Sequence, residues 1–379
     1  MVSKDAVSEA VSRYDTGNLA VSVLGSHSAL EVCRGAKDEH LKNIVICQKG
    51  RDKTYSKHYL ARKRKDSEVG IVDEVMLLNK FSEITDDGII KHLRTRNSIF
   101  VPNRSFSVYV PYDAIENKFP VPVFGNRFLL RAEERNAPKN QYFLMKEAGI
   151  RMPKKFSDYS KIDSLAIVKA PEAKRSYERA FFFASYPKEF ERNGKELIEK
   201  GIISKQGLES AVIEEFVVGA QFNFNFFYSP LHKELELLGI DTRRQTNLDG
   251  LLRLPAYEQL ELRKHLRVNN IEVGHIAATL RESLLEKVFD YGEKFVSACK
   301  KHYSPGIIGP FALQGCVISE DGKEELVVFD ISMRIPGSPG IAATPYSSYL
   351  FGNSVSIGRR IAMEIKEGAN EERLQEIVT

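Results

Sequence analysis

The sequence predicts a two-part chain of α/β and α+β type: a parallel-sheet domain over residues 1–126, then a larger mixed domain over 127–379. Two patterns carry this reading. Near the start, apolar strand-like runs alternate with helical stretches, the arrangement that connects parallel strands. From Phe222 onward, alternating segments are followed by a long helical stretch at 281–302 and two closing strands, the order expected of an α+β domain.

In order along the chain, LAVSVL at 19–24 reads as a buried strand. The next helix carries Ala29, Leu30, Val32, Cys33 and Ala36 on one face, and IVIC at 44–47 completes a βαβ unit. Ser28 followed by Glu31 fits a capping box that opens this helix. Further strands are predicted at 72–77, 98–102 and 121–124, then helices near 127–135 and 139–148. LAIVKA at 165–170 and AFFFAS at 180–185 predict two strands joined by a basic turn. With helices around 187–200 and 204–211 and the strand-like VIEEFVV, they form a small α+β block, expected to act as a lid over residues 165–218.

Composition excludes several function classes. A net charge of +4 is too small for a global nucleic-acid signature, and the basic run ARKRKD at 61–66 is short enough to be a solvated face. No apolar run approaches the roughly 20 residues needed to span a membrane, and the N-terminus lacks a signal-peptide core. Cys33, Cys47, Cys299 and Cys316 have no metal-like spacing and sit in apolar settings, as buried thiols of a reducing compartment do. The expectation is a cytoplasmic protein with no nucleic-acid or membrane partner.

The candidate site residues lie at the ends of predicted strands. Gly25, Ser26, His27 and Ser28 form the turn after the first strand, and a helix start there suits a phosphate. The turn lacks a GxGxxG fingerprint, which argues against a conventional dinucleotide site and so against a nicotinamide-dependent oxidoreductase. PNRSF at 102–106 follows another strand, so Arg104 and Ser105 are expected to face the same crevice. Lys169 closes a buried strand and needs an anion, for which a nucleotide phosphate is the candidate, with Lys174, Arg175 and Arg179 closing over it. The backbone of the hinge at Glu214, Glu215, Phe216 and Val217 is a candidate reader of adenine's ring edge. Gln314 and Asp330 lie on successive strands separated by the turn EDGKEE, and cross-strand pairing would make them oxygen ligands for Mg²⁺. Arg334, four residues on, is suited to transferred phosphoryl charge.

These segments, with VLGSHSALEVCRGAKDE, VPVFGNR, IEEFVVG, FFYSPLHKELELLGID, NLDGLLRLPA, RESLLEKVF, PGIIGPFALQG and GRRIAMEIK, resemble the archaeal formate-dependent 5-formaminoimidazole-4-carboxamide ribonucleotide synthetases over nearly the whole length. The resemblance implies an ATP-grasp fold with an N-terminal pre-ATP-grasp domain, and a ligase of purine biosynthesis. ATP, formate and the aminoimidazole carboxamide ribonucleotide would become the formamido nucleotide, ADP and phosphate through formyl phosphate. It implies ATP with Mg²⁺ (or Mn²⁺) as cofactors, the two small-molecule substrates as partners, and a homo-oligomer.

Carried over by position, His27, Ser105 and His275 match nucleotide contacts, Gln245 an ATP contact, and Gln314 and Asp330 the metal ligands. Arg243 and Arg244 are candidates for the formate or the developing oxyanion. The chain departs from the family pattern at several of these positions. His275 stands where Asn is usual, Gln245 and Asp330 where Glu is usual, and PEAKRSYERAFF replaces a glycine-rich loop. A sister ligase with another amine or acid, or a nucleotide-binding regulatory protein, are the alternatives these departures leave open.

Overall fold

The computed structural model describes residues 2–134, 137–170, 181–266, 270–320 and 322–379. A parallel sheet forms first, from β1 (Ala20–Leu24), β2 (Lys42–Gln48), β5 (Glu74–Leu78) and β6 (Ser98–Phe100), in the order β5-β2-β1-β6. Between β2 and β5, the exposed hairpin β3 (Arg62–Arg64) and β4 (Ser67–Val69) holds the basic run on a solvated face. The helix Ala29–Asp38 connects β1 to β2, so the predicted βαβ unit is present with parallel pairing. Residues 121–124 extend the sheet by a single parallel bridge, Phe100 to Val123, rather than by a full strand.

A second, antiparallel sheet has the order β7-β10-β8-β9, from β7 (Lys155–Phe156), β8 (Ala166–Lys169), β9 (Phe181–Ala184) and β10 (Val212–Glu215). The helix Pro187–Glu199 covers it and inserts Phe190 against Phe182 and Tyr159. This block has its own small core, which also draws in Phe156 and Ile162 from before residue 165.

The third sheet is antiparallel and larger, in the order β13-β12-β11-β14-β15. Its strands are β11 (Ala220–Ser229), β12 (Glu234–Thr246), β13 (Asn270–Ala278), β14 (Gly309–Glu320) and β15 (Lys323–Ser332). The helix Leu285–His302 packs on one face through Phe289 and Phe295, which meet Phe226 and Phe311 at centroid distances of 6.1 and 5.7 Å. Such aromatic contacts add to the area they remove from water.

The chain end returns to the first sheet. The helix Ile357–Asn370 lies against Ala29–Asp38, and one apolar cluster joins Val32, Cys33 and Ala36 to Ile357, Ile361 and Ile365 and to Phe227 and Leu238 of the third sheet. The approach requires glycine on both sides: a Cβ on Gly35 would lie 2.1 Å from the Gly358 carbonyl carbon. Val378 then bridges to Phe124. The Arg127 guanidinium is fully buried and donates to the carbonyls of Ile115, Phe119, Val121 and Thr379. Among the described residues, no helix is long and apolar enough to cross a membrane, and all four cysteines are free and buried.

Candidate functional site

One wall is the carboxyl edge of the parallel sheet. The loops after β1 and β6 emerge side by side because both strands run the same way. Asn103 joins them: its buried amide donates to the carbonyls of Leu24 at 2.9 Å and His27 at 3.0 Å. Its oxygen accepts from the Phe106 N–H and so caps the short helix that carries Arg104 and the buried Ser105.

The 25–28 turn differs from expectation in two ways. The capping box does not form. Ser28 is left-handed, with φ of 60°, and its hydroxyl donates to the Pro336 carbonyl at 2.6 Å. Glu31 turns away, is buried, and accepts from the Ile357 N–H at 3.1 Å at the start of the last long helix. Burial pushes its carboxyl up to about 7, against the opposing pull of the Gly358 and Ile357 N–H groups. The backbone N–H groups of Gly25 and Ser26 are also taken, by Ile46 and Leu24 carbonyls at 2.7 Å each. Backbone donors for a phosphate at this turn therefore have to come from the residues after Ser26.

The opposite wall is the end of β15 and the segment after it. The register sets Gln314 opposite Asp330, at an irregularity of the β14–β15 ladder. The Gln314 amide nitrogen donates to the Ser332 hydroxyl at 3.1 Å, and its carbonyl oxygen is the acceptor of the same amide group. Arg334 is buried beside Glu133, 3.5 Å from Nε to Oε2, and Arg104 from the first wall reaches the same carboxylate oxygen at 3.9 Å. Glu133 is fixed by the Met333 N–H at 2.7 Å.

Burial lowers the Arg334 pKa, and the Arg104 and Arg243 charges add to this against Glu133 and Asp330. Arg104 is also penalised by burial, but Glu133 and Asp330 outweigh it and raise its pKa. Three guanidiniums and two carboxylates thus act on one another across the seam between the two domains. The cationic excess suits an anionic ligand.

Residues 336–338 bring the two walls together. A Cβ on Gly337 would lie 2.9 Å from His27 Nδ1 and 3.8 Å from His275 Nε2. His275, on β13, donates through Nδ1 to Asp241 on β12, and the Ser338 hydroxyl lies 3.2 Å from the same nitrogen. Asp241 is buried and also accepts from Asn223 at 2.9 Å and Asn225 at 2.7 Å. Burial alone would raise its pKa, but the hydrogen bonds from His275, Asn225 and Asn223 win, and it lies below the usual carboxylate range.

Other expected residues are placed differently. Lys169 does not wait for a nucleotide phosphate as its neutralising anion; it forms an ion pair with buried Glu214. The Phe216 N–H donates to the Leu165 carbonyl at 2.8 Å and the Glu215 N–H to that of Lys154 at 2.8 Å, so these two backbone donors are already used within the protein. Arg243 and Arg244 do not act together: successive strand residues face opposite ways, and Arg244 pairs with Asp249 at 3.2 Å. Lys174, Arg175 and Arg179 lie outside the described residues, as does the side chain of Gln245. Asn103, Glu133 and Asp241 are the residues that local sequence did not single out. For Asp241 a signal existed, since a lone acid follows the apolar run LLGI.

Comparison with known proteins adds the family. A protein of unknown function (DUF1246) matches residues 21–156, and a domain of unknown function (DUF1297) matches 189–379. The 5-formaminoimidazole-4-carboxamide-1-(beta)-D-ribofuranosyl 5'-monophosphate synthetases of Methanopyrus kandleri and Methanocaldococcus jannaschii are 40% and 38% identical, each over all of both chains. The solved IMP biosynthesis protein PurP from Thermococcus kodakaraensis superposes with a TM-score of 0.69 at 30% identity, over 95% of this chain and 100% of that one. An N5-carboxyaminoimidazole ribonucleotide synthetase in its ADP complex gives 0.57 at 10% identity, over 90% and 80%. Biotin carboxylase from Campylobacter jejuni gives 0.55 at 10%, over 91% and 70%. The shared fold is the ATP-grasp fold.

Proposed function

The chain belongs to the family of 5-formaminoimidazole-4-carboxamide ribonucleotide synthetases, and from that premise we propose that it formylates the 5-amino group of 5-aminoimidazole-4-carboxamide ribonucleotide with formate and ATP. Formate is a poor acylating agent because its leaving group would be oxide. Phosphorylation by ATP gives formyl phosphate, whose leaving group is phosphate. Attack by the amine then yields the formamido nucleotide, with ADP and phosphate as the other products.

The observation that carries the reading is the seam itself. Arg104, beside the 25–28 loop, and Arg334, beside Asp330, share Glu133, so a ribonucleotide on one wall lies against phosphoryl-transfer groups on the other. In this reading His27 and Ser105 hold the ribonucleotide, Arg243 and Arg334 steady the acyl and phosphoryl charge, and Lys169 meets the ATP phosphates by exchanging its Glu214 partner. The lid over residues 165–218 excludes water from formyl phosphate, which hydrolyses readily.

The Gln314 and Asp330 oxygens fit Mg²⁺ or Mn²⁺, because hard cations take few protein oxygens and complete their shell with water and phosphate. Such an ion supplies charge neutralisation on the transferring phosphoryl group. The four buried free thiols favour a cytoplasmic setting.

The test is ADP release with ATP, formate and the ribonucleotide, omitting each in turn, with the formamido product measured alongside. The expected result is stoichiometric ADP and product only when all three are present. Turnover that requires another acid or another amine overturns the reading in favour of a sister ligase.

A further inference from the structure

Resting on the function proposed above, we infer that Glu133 is the positioning residue of the phosphoryl site. It latches the strand end that leads into Arg334, and it is the resident counter-anion of Arg334 and Arg104, against which the transferred phosphoryl group and then product phosphate must compete.

The latch lies along the free edge of β15, the outermost strand of the third sheet. The last N–H groups on that edge have no further strand to meet and are taken by side chains instead. Gln141 Oε1 accepts from the Ile331 N–H at 2.7 Å, and Glu133 Oε1 accepts from the Met333 N–H at 2.7 Å. The Gln141 amide donates in turn to the Glu133 carbonyl at 3.2 Å. The carboxylate, 5% exposed, is thereby tied to the residue that precedes Arg334.

The other oxygen faces the arginines. Oε2 lies 3.5 Å from Arg334 Nε and 3.9 Å from Arg104 Nη1. Both distances exceed the roughly 2.7–3.2 Å of an N–H···O hydrogen bond, and the buried Arg334 Nε makes none. Among the described residues, Arg334 gives one side-chain hydrogen bond, from Nη1 to the Ile335 carbonyl at 3.2 Å, and Arg104 gives none. Glu133 therefore balances two mutually repelling guanidiniums without consuming the N–H forks that grip phosphoryl oxygens. A phosphoryl group on those forks sets its negative charge against Oε2, which weakens its binding by about tenfold or more. That suits a site that has to release phosphate in every cycle, because unopposed guanidiniums would retain it.

The test is Glu133→Gln, which keeps the shape and an acceptor for the Met333 N–H but removes the charge. Affinity for inorganic phosphate is measured with ADP and the ribonucleotide saturating, from the rise of melting temperature with phosphate concentration and from phosphate inhibition of turnover. Phosphate should bind about tenfold more tightly in Glu133→Gln, and no more tightly in Glu133→Asp, which keeps the charge. Adding Arg334→Gln should abolish the gain. A latch alone could only loosen the site, so unchanged or weaker phosphate binding in Glu133→Gln overturns the inference. Equal tightening in Glu133→Asp, or a gain that survives Arg334→Gln, overturns it as well. Arg104→Gln, at a side chain 44% exposed, is the variant least able to disturb folding. It should weaken phosphate about tenfold, and unchanged affinity there also overturns the inference. A wild type that makes no formamido product, while Glu133→Gln still tightens phosphate, overturns the proposed function instead.

Discussion

Asp330 is the residue whose assignment is most exposed to test. Its carboxylate sits opposite Gln314 and feels Arg104 and Arg334, so removing it takes away the proposed cation ligand and leaves an excess of positive charge. Asp330→Ala should lower formate-dependent turnover at least about 100-fold, the scale of losing one preorganised electrostatic element. Thermal stability should change little, because the side chain is only partly buried. Near-normal turnover at ordinary Mg²⁺ concentrations would remove the metal role. The pairing of Asp330 with Gln314 was legible in the sequence because a short turn, EDGKEE, joins two apolar strands and forces them into one ladder. The partner of Lys169 was not legible. Glu214 lies 45 residues away on a different strand, and only the β8–β10 register brings the two together.

At the scale of elements, the helix Ala29–Asp38 teaches the same lesson through Glu31. Ser28 and Glu31 have capping-box spacing, so local sequence points the carboxylate back at its own helix start. The helix itself was legible from its apolar stripe, but its packing was not: the Glu31 acceptor role is fulfilled by Ile357, 326 residues on.

This arrangement has a pH signature. The folded pKa of about 7 lies above the ordinary 4.5, so the unfolded chain loses this proton first as pH rises. Stability is undisturbed below about 4.5, falls through the window up to about 7, and stays reduced above it. The loss is on the order of 3 kcal/mol for a shift of this size. Glu31→Gln keeps an acceptor for the Ile357 N–H without a titrating group. Its melting temperature should match the wild type near pH 5 and exceed it near pH 8. Parallel curves for the two proteins would show that Glu31 does not titrate in this window.

For the whole molecule, the question is whether the parallel sheet and the antiparallel sheet are separate folding units. The sequence suggested a division near residue 126, because the strand pattern changes there. The packing runs across that line. The helix Ile357–Asn370 covers the helix Ala29–Asp38, Val378 bridges to Phe124, and Phe227 and Leu238 share a cluster with Val32 and Val45. A tight point of this packing is Gly358, where a Cβ would fall 2.1 Å from the Glu31 carbonyl oxygen, a backbone atom with no room to yield. Gly358→Ala should therefore push the two helices apart at a cost of about 3 kcal/mol or more, as overpacking between fixed backbones does. If the seam couples the halves, calorimetry should show one transition moved down by several degrees, with the parallel and antiparallel sheets losing hydrogen-exchange protection together. Two transitions, only one of them displaced, would mean that the halves unfold independently. The seam would then be a docking surface between finished domains rather than a shared core, and the crevice it frames would have to form anew each time they meet.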